Sequence, residues 1–459
     1  MYYRLLLLLT FLGTPRVFYA QTQPDIKTAL AIYTQQTELF LREIKVVRKM
    51  PLKNRVASAA KQLDPQQLFT AISLFNKAWD TKAALLFYFH DGKSLQVFLM
   101  NERGIVHSSS VRITRDSLLA IETNIRHAIG VYTNLSLNRG MDSRGIGLHP
   151  SVRKGDSAYL RSVTGLLIDT AMAKLLLVHS HLLVCPTLNL YSFPFAALRP
   201  FSDDRYLGTV LPISILPNLY ELAAKKYTES PISFRSQVSK ATLVGGPIFN
   251  SYVKPEDYYG RNKTIHEFFL GELPYTIEQT NAVKELLLED STGRIRIDFL
   301  QGLNAVLPNV QRSVADADLI YIATHAFAAS LYPWDSSFIA FARESKTQKP
   351  GKNFWTNRSV CNSSFKARLA VLSACQTGTG QLWNAGIISL GNSFYYAGVE
   401  QVVSTLWNID DRSTYMYMRE FMKSLLSGER RHPAYWLHVM QKKTQFSVRH
   451  WAGFICFGI

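Results

Sequence analysis

Two residues in this chain could do covalent chemistry together, His325 and Cys375. The histidine closes the apolar run of "LIYIATHAF", and the cysteine closes that of "LAVLSACQTGTG". In both segments a short apolar strand pattern gives way to small and polar residues. Such junctions mark the carboxyl ends of parallel strands, where α/β sheets bind ligands. A thiol is a modest nucleophile until a base stands beside it or its pKa falls, and an imidazole does both. The same ring can then return the proton to a leaving amine. Glycines and small residues after the thiol let backbone N–H groups approach a developing oxyanion. Taken singly, each residue has a plainer explanation: a histidine satisfied by a neighbour, a cysteine filling space. The order, the 50-residue separation and the matching strand contexts favour the paired reading.

Competing chemistries are poorly supplied. The sequence has no GxSxG elbow, HExxH helix, Walker loop or GxGxxG turn. The His266-Glu267 pair is followed by aromatics. Asp410 and Asp411 stand together before the helix-like "RSTYMYMREFMKSLL", where capping is the ordinary role. Their weaker second role is to line a substrate pocket for a basic residue. The four cysteines, Cys185, Cys361, Cys375 and Cys456, are far apart and form no CxxC, so neither a disulfide scaffold nor a local zinc site is indicated. The chemistry calls for no metal and no cofactor.

The elements that must position the pair belong to a globular chain. It has 459 residues, 47% hydrophobic, 19% charged and 12% aromatic, enough for two or three domains with a substantial core. The net charge of +17 draws it toward anionic partners through a salt-screened attraction. That charge is dispersed. Its densest run, Arg42, Lys45, Arg48, Lys49, Lys53 and Arg55, reads as one solvated helix face. No nucleic-acid-binding signature accompanies it, so no specific nucleic-acid partner is expected. The opening "MYYRLLLLLTFLGTPRVFYAQTQPD" has Arg4, an apolar run, Pro15 and Ala20 before polar residues, the layout of a secretory leader over residues 1–20. Phe18 sits where a small residue is preferred, which keeps an uncleaved anchor or a cytoplasmic protein as alternatives to export. No other segment reaches 18 uninterrupted apolar residues, so no membrane span is expected in the body.

Residues 21–81 read as helical, with Asp64 as an N-cap and Pro65 at the first helical position. Residues 83–113 read as a meander of three strands turning at Asp91-Gly92 and at Asn101 to Gly104. A helix from Asp116 to about Tyr132 and a polar loop over 134–156 complete a region spanning 82–156. From 157 onward helical stretches alternate with the apolar runs "HLLVC", "ATLVGG", "IRIDFL", "ADLIYIA", "RLAVLSA" and "EQVVSTL". The alternation predicts an α/β core over 157–459, a mostly parallel sheet covered by helices on both faces. The meander and a short N-terminal helical region precede it.

The ordered set of motifs resembles the CHAT domain, a caspase- and separase-like family of clan CD cysteine peptidases. "LLVCPTLNLYSFPFAAL" is similar to the family's strand followed by L-x-x-L-P-F-x-x-L, and "LPNLYEL", "LVGGPIF" and "LPYTIEQTNAVKELL" to its linking segments. "LIYIATHAF" and "LAVLSACQTGTG" resemble the histidine and cysteine motifs. "SFYYAGVEQVVSTLWNIDDRST" carries the A-G-x-x-x-V-V-x-x-L-W-x-x-D-D stretch, and "HWAGFICFG" the closing one. The resemblance covers about residues 82 to 459. It implies a caspase-like fold in which His325 is the catalytic histidine and Cys375 the nucleophile, with backbone donors at Ala326 and Cys375 for the oxyanion. The family usually has glycine where Ala326 stands. The stretch 345–366 would lie in a region that family members vary and sometimes cleave. The expected activity is a cysteine endopeptidase acting on protein substrates, with a regulatory protein as a further partner. The alternative is a catalytically silent adaptor on the same fold.

Overall fold

The computed structural model describes residues 25–48, 62–131, 155–227, 233–249, 252–253, 268–289, 294–329, 331–345, 348, 351–427, 429–443 and 446–459. The leader over 1–20 and most of the polar loop over 134–156 lie outside these residues. The described strands are β1 (Ala83–His90), β2 (Ser94–Asn101), β3 (Gly104–Arg112), β4 (His181–Cys185), β5 (Ile213–Ile215), β6 (Lys240–Pro247), β7 (Tyr252–Val253), β8 (Phe268–Phe269) and β9 (Arg296–Gly302). They continue with β10 (Leu319–Ala323), β11 (Ala326–Phe327), β12 (Phe338–Ala340), β13 (Phe354–Thr356), β14 (Leu369–Ser373), β15 (Gly380–Trp383), β16 (Gly386–Ser389), β17 (Gln401–Thr405) and β18 (Phe454–Gly458).

Eleven of them form one sheet in the order β3-β2-β1-β4-β5-β18-β17-β14-β10-β6-β9. The apolar runs explain why its centre is parallel and enclosed. β4, β6, β10, β14 and β17 are buried along their whole length, as strands covered on both faces must be. Two features add to the sequence expectation. The meander extends the core sheet, because β1 pairs parallel with β4 from Ala83↔His181 to Phe87↔Cys185. β18 runs antiparallel to β17, from Gln401↔Gly458 to Thr405↔Phe454. An apolar run looks the same in either direction, so composition could not show that reversal.

Helices cover both faces. α1 (Ile26–Val47) is capped by Asp25, whose carboxylate accepts the Lys27 and Thr28 N–H groups. α2 (Pro65–Trp79) has the expected Asp64 cap, completed as a capping box by Gln67. α3 (Arg115–Ala128) follows the meander, and α4 (Pro274–Leu288) covers β6. Against α4, a Cβ at Gly245 would lie 2.6 Å from the Thr276 carbonyl, so the pair Gly245-Gly246 is what lets this helix approach the sheet. The basic run after Arg42 is not a single solvated face. Arg48 is buried, and its guanidinium donates to the carbonyls of Cys361 (3.1 Å) and Tyr396. Lys49, Lys53 and Arg55 lie outside the described residues. No described helix is long and apolar enough to cross a membrane.

Candidate active site

β10 and β14 are parallel neighbours, paired from Leu319↔Leu369 to Ala323↔Ser373. His325 and Cys375 each lie two residues past the last rung. They leave one edge of the sheet at the same height, on strands about 4.8 Å apart. Both are only partly buried, whereas Cys185, Cys361 and Cys456 are fully enclosed packing residues.

The histidine is held on both sides. Its backbone carbonyl accepts the Ala340 N–H (2.9 Å), and Thr324 donates its hydroxyl to the Ala340 carbonyl (2.8 Å). The ring Nε2–H donates to the Gly271 carbonyl at 2.8 Å. A carbonyl can only accept, so this contact fixes the tautomer and leaves Nδ1 as the basic nitrogen. Phe249 packs 5.2 Å away, ring centre to ring centre. Burial holds the imidazole below its usual pKa, with the Gly271 carbonyl opposing, so His325 is neutral near pH 7.

Ala326 opens β11 opposite Ile339 of β12. The neighbouring pair, His325 with Ala340, is the hydrogen-bonded one, so the Ala326 N–H faces away from β12. Its φ is not in the left-handed region, and the Cβ adds no backbone strain.

The cysteine turn is fixed by two threonines that the sequence reading did not single out. Thr405 donates its hydroxyl to the Ala374 carbonyl (2.7 Å), and its N–H donates to the Thr377 hydroxyl (3.2 Å). The Gly378 N–H donates to the Thr405 carbonyl at 2.8 Å. A Cβ at Gly378 would come within 3.2 Å of that carbonyl oxygen. Gln376 adopts φ +58°, which reverses the chain directly after the thiol. Burial, with a smaller contribution from the charge of Asp411, pushes the Cys375 thiol up to about 12. Among the described residues no hydrogen bond joins it to His325. Both shifts favour the uncharged forms near pH 7, a neutral thiol and a neutral imidazole.

The two aspartates separate in role. Asp410 caps α5 (Asp411–Leu425), accepting the Ser413 N–H at 2.9 Å, and lies 3.6 Å from His450. Asp411 reaches across to α4 and accepts the Tyr275 N–H at 3.0 Å, replacing the side-chain cap that Leu273 cannot provide. Burial, with Asp410 and Glu278 nearby, raises its carboxyl to about 6. Of the two, Asp411 is the one whose charge reaches Cys375.

The loop carrying both aspartates is anchored by α3. Arg126 donates to the Leu406 carbonyl (2.9 Å), the Ser192 carbonyl (2.9 Å) and the Glu122 carboxylate (2.8 Å), with its guanidinium 5.4 Å from the Trp407 ring centre. Both charged residues are almost fully buried. Replacing Arg126 with Met strands the Glu122 carboxylate, and chemical unfolding should show a loss of about 3–5 kcal/mol. Adding Glu122→Gln should recover part of it.

A groove of about 590 Å³, lined by Lys240, Arg296, Asp298, Arg312, Ser313 and Asp316 among others, opens at the opposite, amino-terminal ends of β6 and β9. It plays no part in this site. Lys240 is already paired there with Asp298 (3.0 Å) and Asp316.

Comparison with known proteins places this geometry. The CHAT domain family model matches residues 157–459. Tetratricopeptide repeat protein 28 of Homo sapiens is 23% identical over 314 residues, covering 61% of this chain and 12% of that protein. Its Mus musculus counterpart is 23% identical over 298 residues, with the same shares. The chain thus spans only about an eighth of the curated relatives it matches. Among solved structures, separase in the Saccharomyces cerevisiae separase–securin complex matches with TM-score 0.50 and 10% identity, over 95% of this chain and 34% of that one, a likeness of fold alone. A family match over residues 157–459, on a large, mostly parallel sheet flanked by helices, means that the chain belongs to the CHAT domain family and has its caspase-like fold.

Proposed function

We propose that the chain is a cysteine endopeptidase acting on protein substrates through His325 and Cys375. The observation that carries this reading is the shared register of β10 and β14, which delivers both residues to one edge of the sheet. The Cys375 sulfur attacks the scissile carbonyl carbon while its proton passes to Nδ1 of His325. The oxyanion accepts N–H groups from Ala326 and Cys375. The C–N bond breaks as His325 gives the proton to the leaving amine, and water, deprotonated by the same ring, releases the acyl group. Of the two aspartates, Asp411 is the one offered to a basic substrate residue, because its charge is the one that reaches Cys375. The leader-like layout of "MYYRLLLLLTFLGTPRVFYA" is what supports the further proposal of export, periplasmic or secreted.

Peptidyl acyloxymethyl ketones ending in Lys, Asp or Leu test this reading by intact mass. We expect an adduct on Cys375, fastest with Lys, absent in Cys375→Ala and slowed in His325→Ala. No adduct with any probe, or one indifferent to His325, would overturn it. A second reading, a catalytically silent binding module, is favoured by the thiol held at about 12 without a hydrogen bond to His325. It predicts that second outcome.

A further inference from the structure

α1 lies far from the dyad in sequence, yet it touches the segments that follow both of its members. Trp334, in the short helix Pro333–Ser336 between β11 and β12, donates its indole N–H to Glu43 at 3.0 Å. That contact reaches the segment leaving His325. The segment leaving Cys375 forms the hairpin β15–β16, and α1 meets it through Phe40. The Phe40 ring packs 6.0 Å from Trp383 and 6.2 Å from Tyr396, centre to centre. It fits so closely over Gly386 that a Cβ there would lie 2.2 Å from the ring. At the end of α1, the Val47 carbonyl accepts the Asn362 side-chain N–H (3.0 Å). Arg48 beside it holds the Cys361 and Tyr396 carbonyls, as described above.

The hairpin is fastened at its tip as well. Asn384 receives the Thr187 hydroxyl on its carbonyl (2.8 Å) and the Arg115 guanidinium on its side-chain oxygen (3.1 Å). Two residues past the end of β16, the Gly391 N–H donates to the Thr377 carbonyl at 2.8 Å. Thr377 shares with Thr405 in holding the Ala374 carbonyl, at 3.3 and 2.7 Å from their hydroxyls. A hydrogen-bonded path thus runs from the residues just after β16 to the turn that carries the thiol.

We propose that α1 is a brace setting the relative placement of the His325 and Cys375 segments, and that Phe40 is its positioning residue, acting through Gly386. The inference rests on the peptidase reading for its effect on rate but not for its effect on the turn. Near-attack geometry is steep, and a displacement of about 1 Å can lower a rate roughly a hundredfold.

The test uses the full chain as wild type, Gly386→Ala, Phe40→Leu and the double variant. Gly386→Ala puts a methyl where the ring stands, and Phe40→Leu removes the two nearest atoms it would strike, Cε1 and Cζ. Hydrogen exchange followed by mass spectrometry should show faster exchange over residues 376–391 in Gly386→Ala, returned toward wild type in the double variant. The maximal inactivation rate with the Lys ketone should fall roughly ten- to a hundredfold in Gly386→Ala and recover with Phe40→Leu, while the probe concentration for half-maximal rate changes little. Unchanged exchange over 376–391 in Gly386→Ala would sink the brace whatever the activity. Wild-type protein that reacts with no probe, beside the expected exchange pattern, would sink the peptidase reading and leave the brace standing. Should Gly386→Ala not fold, Trp334→Phe, which removes the hydrogen bond to Glu43, is read the same way over residues 326–341, and unchanged exchange there counts against the proposal.

Discussion

Cys375→Ala should abolish peptide-bond hydrolysis, and His325→Ala should lower it by about 10²–10⁴-fold, the usual worth of a positioned acid–base. In the proposed mechanism the first variant removes the atom that forms the acyl bond. In the same mechanism the second removes the ring nitrogen that takes the thiol proton, Nδ1, since Nε2 is occupied by Gly271. The pH dependence separates this mechanism from its rival. With the thiol pushed up to about 12 and the imidazole held below its usual value, the neutral pair is favoured at rest over thiolate and imidazolium. Hydrolysis should fall only on the acid side, and at a lower pH than a free imidazole would give, because burial holds His325 below its usual value. Alkylation of Cys375 by iodoacetamide should keep climbing from pH 7 to 9. A labelling rate already level at pH 6 would mean a preformed ion pair and would refute the neutral dyad.

Acid should unfold this protein earlier than its carboxylates require. His181, His432 and Ser214 form a closed cluster between β4, β5 and the helix Pro433–Gln441, with His181 Nε2 2.9 Å and His432 Nδ1 3.3 Å from the Ser214 hydroxyl. The Ala434 N–H also points at His432 Nδ1, so a proton added there would face a donor. Burial lowers His181 to about 3 and puts His432 well below its usual value. His438, bound through Nδ1 to the Gly208 carbonyl, is lowered to about 4, again chiefly by burial.

The sign follows from linkage. These folded-state values lie below the unfolded 6.5, so the unfolded chain binds protons first as pH falls. Stability is complete above 6.5 and is lost from there down toward the folded values. At pH 5 each fully buried histidine contributes a loss of about 2 kcal/mol, and the more accessible His438 somewhat less. Asp411 works in the opposite direction. Its folded value of about 6 exceeds the unfolded one, and its protonation returns about 1 kcal/mol at pH 5. The net expectation is a loss of about 4–5 kcal/mol between pH 7.5 and 5, measured by urea unfolding at each pH. That is a large share of the stability of an ordinary domain. A flat profile over this range would show that the cluster is hydrated or already charged.

Several features were legible because they depend on neighbours along the chain. Asp64 before Pro65 announced a cap, and the turns at Asp91-Gly92 and Asn101 to Gly104 announced the meander. The runs ending at His325 and Cys375 announced two strands of one sheet. Other features were hidden because their partners are distant. The three-stranded sheet β11–β12–β13 and the hairpin β15–β16 consist of strands of two to four residues, too short to show a period. The threonine pair Thr377 and Thr405 is 28 residues apart, and Gly271, which sets the histidine tautomer, is 54 residues from it.

Local patterns along the chain carried the family, the mostly parallel sheet and the two residues proposed for the chemistry. Strand periodicity, caps and ordered motifs are local, and local patterns survive in a linear string. The ring nitrogen of His325 left open to a proton, the upward push that burial gives the Cys375 thiol, and the reach of Asp411 rather than Asp410 to it appear only in the folded chain. So do the burial of Arg48 and the contacts of α1 with the segments after His325 and Cys375. Protonation and placement depend on burial and on hydrogen bonds between residues far apart in the chain, and those exist only once the chain has closed on itself.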